Sequence, residues 1–197
     1  MKYVTEALFR EAVADRRWLH AHAGVDFELE ETVGFVKEKL NDSGIPFTER
    51  YCRSSVCGCL GDQSGAKPIL ALRADMDALP IQEATGLPYA SKNPGVMHAC
   101  GHDSHTAVLL ALGRLLKARE DELPCGVRLL FQPAEESAAS GAKIMAENGA
   151  LDGVSAVLGL HCENTLPVGT LGIHDGPYMA ACIPIDIAFY GRSAHAA

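Results

Sequence analysis

What this sequence lacks narrows the field before any motif is found. No apolar run approaches the ~20 residues a helix needs to cross a bilayer, so nothing in the 197 residues reads as membrane-spanning. Cysteine pairing is missing too. The seven cysteines are odd in number and irregularly spaced, at 52, 57, 59, 100, 125, 162 and 182, and none stands in a CxxC pair. Cys57-Gly58-Cys59 is too close for an easy disulfide within a strand. No secretory apolar segment follows Met1, so the expectation is a reduced, cytoplasmic protein. Positive charge is scarce: 17 Lys and Arg stand against 25 Asp and Glu, a net charge of −8. That balance argues against nucleic acid or an anionic membrane as a partner. The main basic cluster, Arg16-Arg17, sits inside a helical pattern and reads as a solvated face. Internal repeats and low-complexity segments are absent as well.

What remains is an ordinary globular composition, 48% hydrophobic and 21% charged. A chain of this length buries roughly 70% of its unfolded surface and needs no covalent staples. Apolar spacing predicts helices over 5–21 and 28–43, the second stopped by Ser43-Gly44 and Pro46. A hairpin is expected over 47–60, with its turn at 53–55. A short apolar run at 69–72 reads as a buried strand ending in Arg73-Ala74-Asp75-Met76-Asp77. A turn-rich segment, 80–97, leads to a helix over 105–119 capped by Asp103 or Ser104. Then follow a strand at 127–131, a helix at 138–149 and another buried strand at 154–160. Helices interleaved with short apolar strands predict an α/β fold with a sheet flanked by helices on both faces. From about 183 the pattern changes to strand-like alternation, with Ile185, Ile187 and Phe189 on one face. The domain reading is therefore 1–182, followed by the beginning of a second, truncated domain at 183–197.

Chemistry concentrates in His98-Ala99-Cys100-Gly101-His102-Asp103-Ser104-His105. If this stretch is extended, Cys100 and His102 share one face, and a thiolate beside an imidazole suits a borderline-soft divalent metal such as zinc. In an α/β sheet, ligands bind outside the carboxyl ends of the strands. Three further candidates obey that rule: Asp75 and Asp77 after one strand, Glu135-Glu136 after the next, and His161 after the third. Adjacent carboxylates on an extended loop are expected to point to opposite sides, one to a metal and its neighbour to substrate. Cys100, His102, Glu136 and His161 offer S, N, O and N donors for one or two divalent ions. Glu135 is then free to take a proton from water and return it to a leaving amine, its pKa raised by a dry pocket. Asp75 and Asp77 are candidates for orienting a ligating imidazole, with turn capping before Pro80 an equal alternative for Asp77.

With these residues in place, the sequence resembles the M20 metallopeptidase family, in its amidohydrolase branch. The matching stretches are Arg16-Arg17-Trp18-Leu19-His20, Leu72 through Pro80, Met97 through Thr106, Phe131 through Glu136, Gly159-Leu160-His161 and Gly191 through Ala197. The resemblance implies a zinc-peptidase-like mixed sheet and the start of an inserted α+β dimerisation or lid domain. It implies two divalent metal ions, manganese or zinc with nickel and cobalt as alternatives, held by Cys100, His102, Glu136 and His161. Glu135 is then general base and acid. His195, on the lid domain, is expected to stabilise the oxyanion or hold the substrate's carboxylate, within one subunit or across a dimer interface. The implied substrate is a small N-acyl amino acid and the implied assembly a homodimer. Family members continue past this point to a further histidine ligand, so the 197 residues alone are expected to be inactive. The family's Pro-Glu after the first helix is replaced by Ala23-Gly24-Val25-Asp26, with little consequence expected. Two other readings stay open: Cys100 as a thiol nucleophile with His102 or His105 as base, and a non-catalytic metal-binding or dimerisation protein on the same scaffold. Cys52, Cys57 and Cys59 have no role in any of these.

Overall fold

A computed structural model describes residues 3–180, 183 and 185–195. The chain divides into two units, Met1–Cys162 and Glu163–Ala197. Among the described residues all helices and strands lie in the first, and no helix is long and apolar enough to cross a membrane.

Helix α1 (Glu6–Ala21) starts where the Thr5 hydroxyl accepts the Leu8 N–H at 3.1 Å, satisfying one of the amide groups a helix start leaves unpaired. Helix α2 (Glu30–Asp42) ends at Gly44, whose φ of +64° continues the chain in the left-handed region. The strands are β1 (Phe47–Thr48), β2 (Val56–Leu60), β3 (Ile69–Asp75), β4 (Gly126–Gln132) and β5 (Val154–Gly159). They form one mixed sheet in the order β1-β2-β4-β3-β5. β2 runs antiparallel to β1 and β4, while β3 runs parallel to both β4 and β5. Helix α3 (His102–Lys117) connects β3 to β4, through a 3₁₀ turn at Glu120–Glu122, and α4 (Gly141–Glu147) connects β4 to β5.

The period-2 alternation of β4 sorts its side chains between two cores. Val127, Leu129 and Phe131 enter the larger core with residues of α1, α2 and α3, while Leu130 packs with Ala71, Cys57 and Met145 on the other face. Phe131 is fully buried, and removing a side chain of this size from water contributes about 1.5–3 kcal/mol. α3 approaches β4 closely because Gly113 faces it: a Cβ there would lie 2.8 Å from Leu129 Cδ1.

Several expectations need correction. α3 starts at His102 rather than near 105, so Gly101 (φ +98°) holds the cap position and Asp103 lies inside the first turn. Cys100 and His102 therefore flank a turn-to-helix junction instead of lying in an extended segment. β5 is an exposed edge strand, with Val157 48% and Leu158 57% exposed; its apolar run alone cannot distinguish an edge from an interior position. The unit Glu163–Ala197, taken by itself, has no helix or strand among its described residues. The alternation expected over 184–190 therefore forms no described strand there. Pro184 lies outside the described residues, as does Cys182 at the end of the expected first domain.

Candidate metal centre

The carboxyl ends of β3, β4 and β5 converge with the start of α3. One ligand atom each from Cys100, His102 and His161 lie within 4.8 Å of one another, with Cys100 Sγ 3.3 Å from His161 Nε2. His102 is completely buried, and its two ring nitrogens face different partners. Nδ1 lies 2.8 Å from the Asp77 carbonyl oxygen, which fixes the proton on Nδ1, because a carbonyl can only accept. Nε2 is thereby the nitrogen left to face the centre. It is buried with no hydrogen-bond partner, 3.5 Å from Asp75 Oδ2, 3.7 Å from Glu136 Oε1 and 3.9 Å from Glu135 Oε2. Burial opposes a charge on this ring, but the Asp77 hydrogen bond and the Asp75, Asp77 and Glu136 charges outweigh it and raise the His102 pKa; a divalent cation would take the place of that proton among the carboxylates. The donor set fits such an ion.

Glu135 and Glu136 depart from the expected opposed pair. Both approach His102 Nε2 and form a three-residue group of metal-binding dimensions with it. The reason is backbone geometry that sequence alternation does not report. Ala134 has φ +51°, and the Asp77 carboxylate accepts the Glu135 and Glu136 N–H groups, both at 3.0 Å. A turn so capped turns both side chains inward. The dry pocket expected around Glu135 is not present in this chain, where its side chain is 42% exposed.

Asp75 pairs with a different imidazole from the one expected. Its Oδ1 lies 2.6 Å from His105 Nδ1, and Arg73 Nη1 is 2.8 Å from Oδ2. His105 Nε2 in turn accepts the Cys162 N–H at 2.9 Å. With both nitrogens engaged, His105 braces the segment after His161 and is not a bare donor. Burial opposes ionisation of Asp75 and Asp77. It is outweighed at Asp75 by the His105 hydrogen bond and Arg73, and at Asp77 by His102 and the two glutamate N–H groups. Both carboxyls are held below the usual range. Cys100 goes the other way: burial and the Glu136, Asp75 and Glu135 carboxylates push its thiol up to about 12. That is the opposite of an activated nucleophile, and it removes support from the thiol-nucleophile reading.

The residues that sequence reasoning missed form a buried network behind the site. Asp103 Oδ2 lies 2.7 Å from His20 Nδ1 and 3.0 Å from Arg16 Nε, and His20 Nε2 lies 3.3 Å from Glu83 Oε1. Arg16 is therefore no solvated surface charge; it ties α1 to the first turn of α3. Its i,i+4 spacing to His20 on one helix face was the available signal. His98, a candidate ligand by type, is buried beside this network, its Nε2 unpartnered and its pKa lowered by burial to about 4. His195 lies in the Glu163–Ala197 unit and is exposed.

The sequence profile of Peptidase family M20/M25/M40 matches residues 71–197, well over half of the chain. The chain belongs to the M20 peptidase family. This M20 chain is 46% identical over 190 residues to an N-acetyl-L-cysteine deacetylase of Bacillus subtilis, covering 96% of this chain and 45% of that protein. It is 43% identical over 198 residues to an N-acyl-L-amino acid amidohydrolase of Geobacillus stearothermophilus, covering 100% of this chain and 53% of that one. Among solved structures, a dinuclear metal-binding M20 peptidase of Bacillus subtilis superposes with a TM-score of 0.83 at 42% identity, over 88% of this chain and 48% of its own. The M20 chain thus spans about half the length of the relatives it matches.

Proposed function

We propose that this chain is the metal-holding portion of a metal-dependent amidohydrolase that cleaves the amide bond of N-acyl amino acids. The observation that carries the reading is the buried, unpartnered His102 Nε2, with Cys100 and His161 donors beside it and Glu135 and Glu136 facing it. Cys100, His102, Glu136 and His161 would hold two divalent ions, zinc or manganese with nickel and cobalt as alternatives. When bound, these supply a Lewis acid for the amide carbonyl and acidify a water. Glu135, close to the centre and outside the ligand set, takes the proton of the attacking water and returns it to the leaving amine. Asp77 holds Glu135 and Glu136 in register through their N–H groups, and its carbonyl accepts a hydrogen bond from His102 Nδ1, which aims Nε2 at the centre. Asp75 and His105 brace the Cys162 backbone next to His161. The resemblance adds His195 as the group that stabilises the oxyanion or receives the substrate's carboxylate. It also adds a lid domain beginning near 183, a homodimer formed through that domain, and a cytoplasmic location. Support for the substrate class comes from the two relatives named for N-acyl amino acids.

The test is release of free amino acid from a panel of N-acyl amino acids, N-acetylcysteine and hippurate included, by the protein encoded by the complete reading frame. Hydrolysis should be abolished by EDTA and restored by manganese or zinc. Glu135→Gln should lower it by about 10²–10⁴-fold with metal content unchanged. Full activity of Glu135→Gln would refute the mechanism. No turnover across the panel with metal bound would move the assignment to peptides, as for the dinuclear peptidase relative, or to a non-catalytic role.

A further inference from the structure

Among the described residues, three donor groups share His102, and the metal centre uses two of them. The third is Asp75, His102 and His105, all buried, with one ligand atom from each within 4.8 Å of the others. His105 is engaged at both nitrogens, by Asp75 Oδ1 at 2.6 Å and by the Cys162 N–H at 2.9 Å. Asp75 Oδ2 is differently placed. It is buried, makes no hydrogen bond and lies 3.5 Å from His102 Nε2. Two donors that share one tetrahedral zinc ion, each about 2.0–2.2 Å from it, stand roughly 3.3–3.6 Å apart. Asp75 Oδ2 therefore has the spacing of a second ligand beside His102.

The charge that faces this oxygen is Arg73. Arg73 and Asp75 are two apart on β3, so they project from one face, and Gln132 stands opposite Asp75 in the register with β4. The guanidinium reaches both: Nη1 is 2.8 Å from Asp75 Oδ2, and Nε donates to Gln132 Oε1 at 2.8 Å. One side chain thus ties the strand end that carries Asp75 to the strand end that leads into Glu135 and Glu136. Arg73 is only 27% exposed. It lines a cavity of about 300 Å³ whose other walls include Leu130, Met145, Ala146 and Val157. Apolar walls of this kind screen a charge pair poorly.

We propose that Arg73 is a positioning residue for the metal centre: by pairing with Asp75 it keeps that carboxylate out of the ligand set and holds it as the partner of His105. The inference rests on the metal-dependent reading above. Without the guanidinium, an unbonded carboxylate oxygen so near His102 Nε2 would turn to a divalent ion held there. That turn would weaken the chemistry, because each added anionic ligand leaves less positive charge on the ion to acidify a water or polarise a carbonyl. Arg73 also repels a metal ion directly, through its own charge. The two effects differ in one respect: only the first needs the Asp75 carboxylate.

The experiment uses the protein encoded by the complete reading frame. It measures zinc affinity by competition with a chelating dye, the visible absorption of the cobalt-substituted protein, and kcat. Arg73→Gln should bind zinc about tenfold more tightly and lower kcat at least about tenfold, with weaker cobalt absorption as the coordination number rises. Arg73→Lys, which keeps the charge, should bind zinc within about threefold of the unaltered protein. In an Asp75→Asn background, Arg73→Gln should give no gain. A gain that persists there would be direct repulsion and would overturn the proposal. Looser or unchanged zinc binding by Arg73→Gln, the mark of a residue that only supports the fold, would overturn it as well. Asp75→Asn alone should leave the intensity of the cobalt absorption as it was; a change would mean that Asp75 is already a ligand beside Arg73. That arm stays decisive even if Arg73→Gln folds poorly. No zinc binding by the unaltered protein would instead remove the metal-dependent reading, and this inference with it.

Discussion

Cys100 and Cys59 are the same side chain in two regions of one sheet, and their surroundings give them opposite characters. At the carboxyl end of the parallel strands, Cys100 stands among Glu136, Asp75 and Glu135, and its thiol is pushed up to about 12. On the antiparallel hairpin, Cys59 shares its face with Cys57 and stands opposite Arg128, and its pKa is brought down. Both are partly buried, so burial does not separate them; the sign of the neighbouring charge does. A thiol among carboxylates ionises in exchange for a cation, which suits a ligand. A thiol beside guanidinium groups is ready to ionise without one, which suits a nucleophile.

The sharpest way to break this comparison is to remove each sulfur in turn and measure zinc affinity by competition with a chelating dye. Cys100→Ser should weaken zinc binding by at least about 100-fold, more than the loss of an outer partner typically costs. Cys59→Ser should leave it unchanged. Equal effects would mean that the two sulfurs do not differ as argued. Next in size is Asp77→Ala, which frees the N–H groups of Glu135 and Glu136. A 10–100-fold loss of zinc affinity is expected, with the rate of Cys59 alkylation by iodoacetamide untouched.

A smaller effect tests whether the metal-centre region is held in place by buried ionic contacts that the hairpin lacks. Hydrogen bonding to Asp103 raises the His20 pKa above its ordinary 6.5, against the cost of burial. A raised pKa means that this contribution is complete below pH 6.5 and fades as pH climbs through the folded-state value. Urea unfolding of His20→Asn should therefore show a penalty of about 1.5 kcal/mol at pH 6 that shrinks at pH 9. A penalty independent of pH would show that His20 acts by packing alone. The smallest expected effect is that of Cys57→Ala, which removes the thiol beside Cys59. The midpoint of Cys59 reactivity should move up, and its rate of alkylation by iodoacetamide at pH 7 should fall about threefold.

Much of the framework was legible in the residues. Three of the strands at 69–75, 126–132 and 154–159 announce themselves as apolar runs, and each ends in residues able to ligate or orient a metal. The rule that ligands collect at carboxyl ends brings Asp75, Glu136 and His161 together without any knowledge of the packing. The start of α3 was harder to place, since Asp103 and Ser104 are both good capping residues and Gly101 competes with them only through its left-handed φ. The outward face of β5 was not legible either. Its run of apolar residues is compatible with an interior strand, and only the observed strand order puts it at the edge.

By itself, then, the sequence determined the donor types, their order along the chain and the strand ends on which they stand, because these depend on spacing along a few residues. The tertiary structure decided how the side chains are aimed. Asp77 turns both glutamates toward His102 across 58 and 59 residues of chain. Asp75 takes His105 across 30, and Asp103 takes His20 across 83. Contacts of that separation leave no periodicity in the sequence. They exist only once the sheet and α3 have brought the partners within hydrogen-bond reach, where a buried carboxylate must find a donor to remain charged.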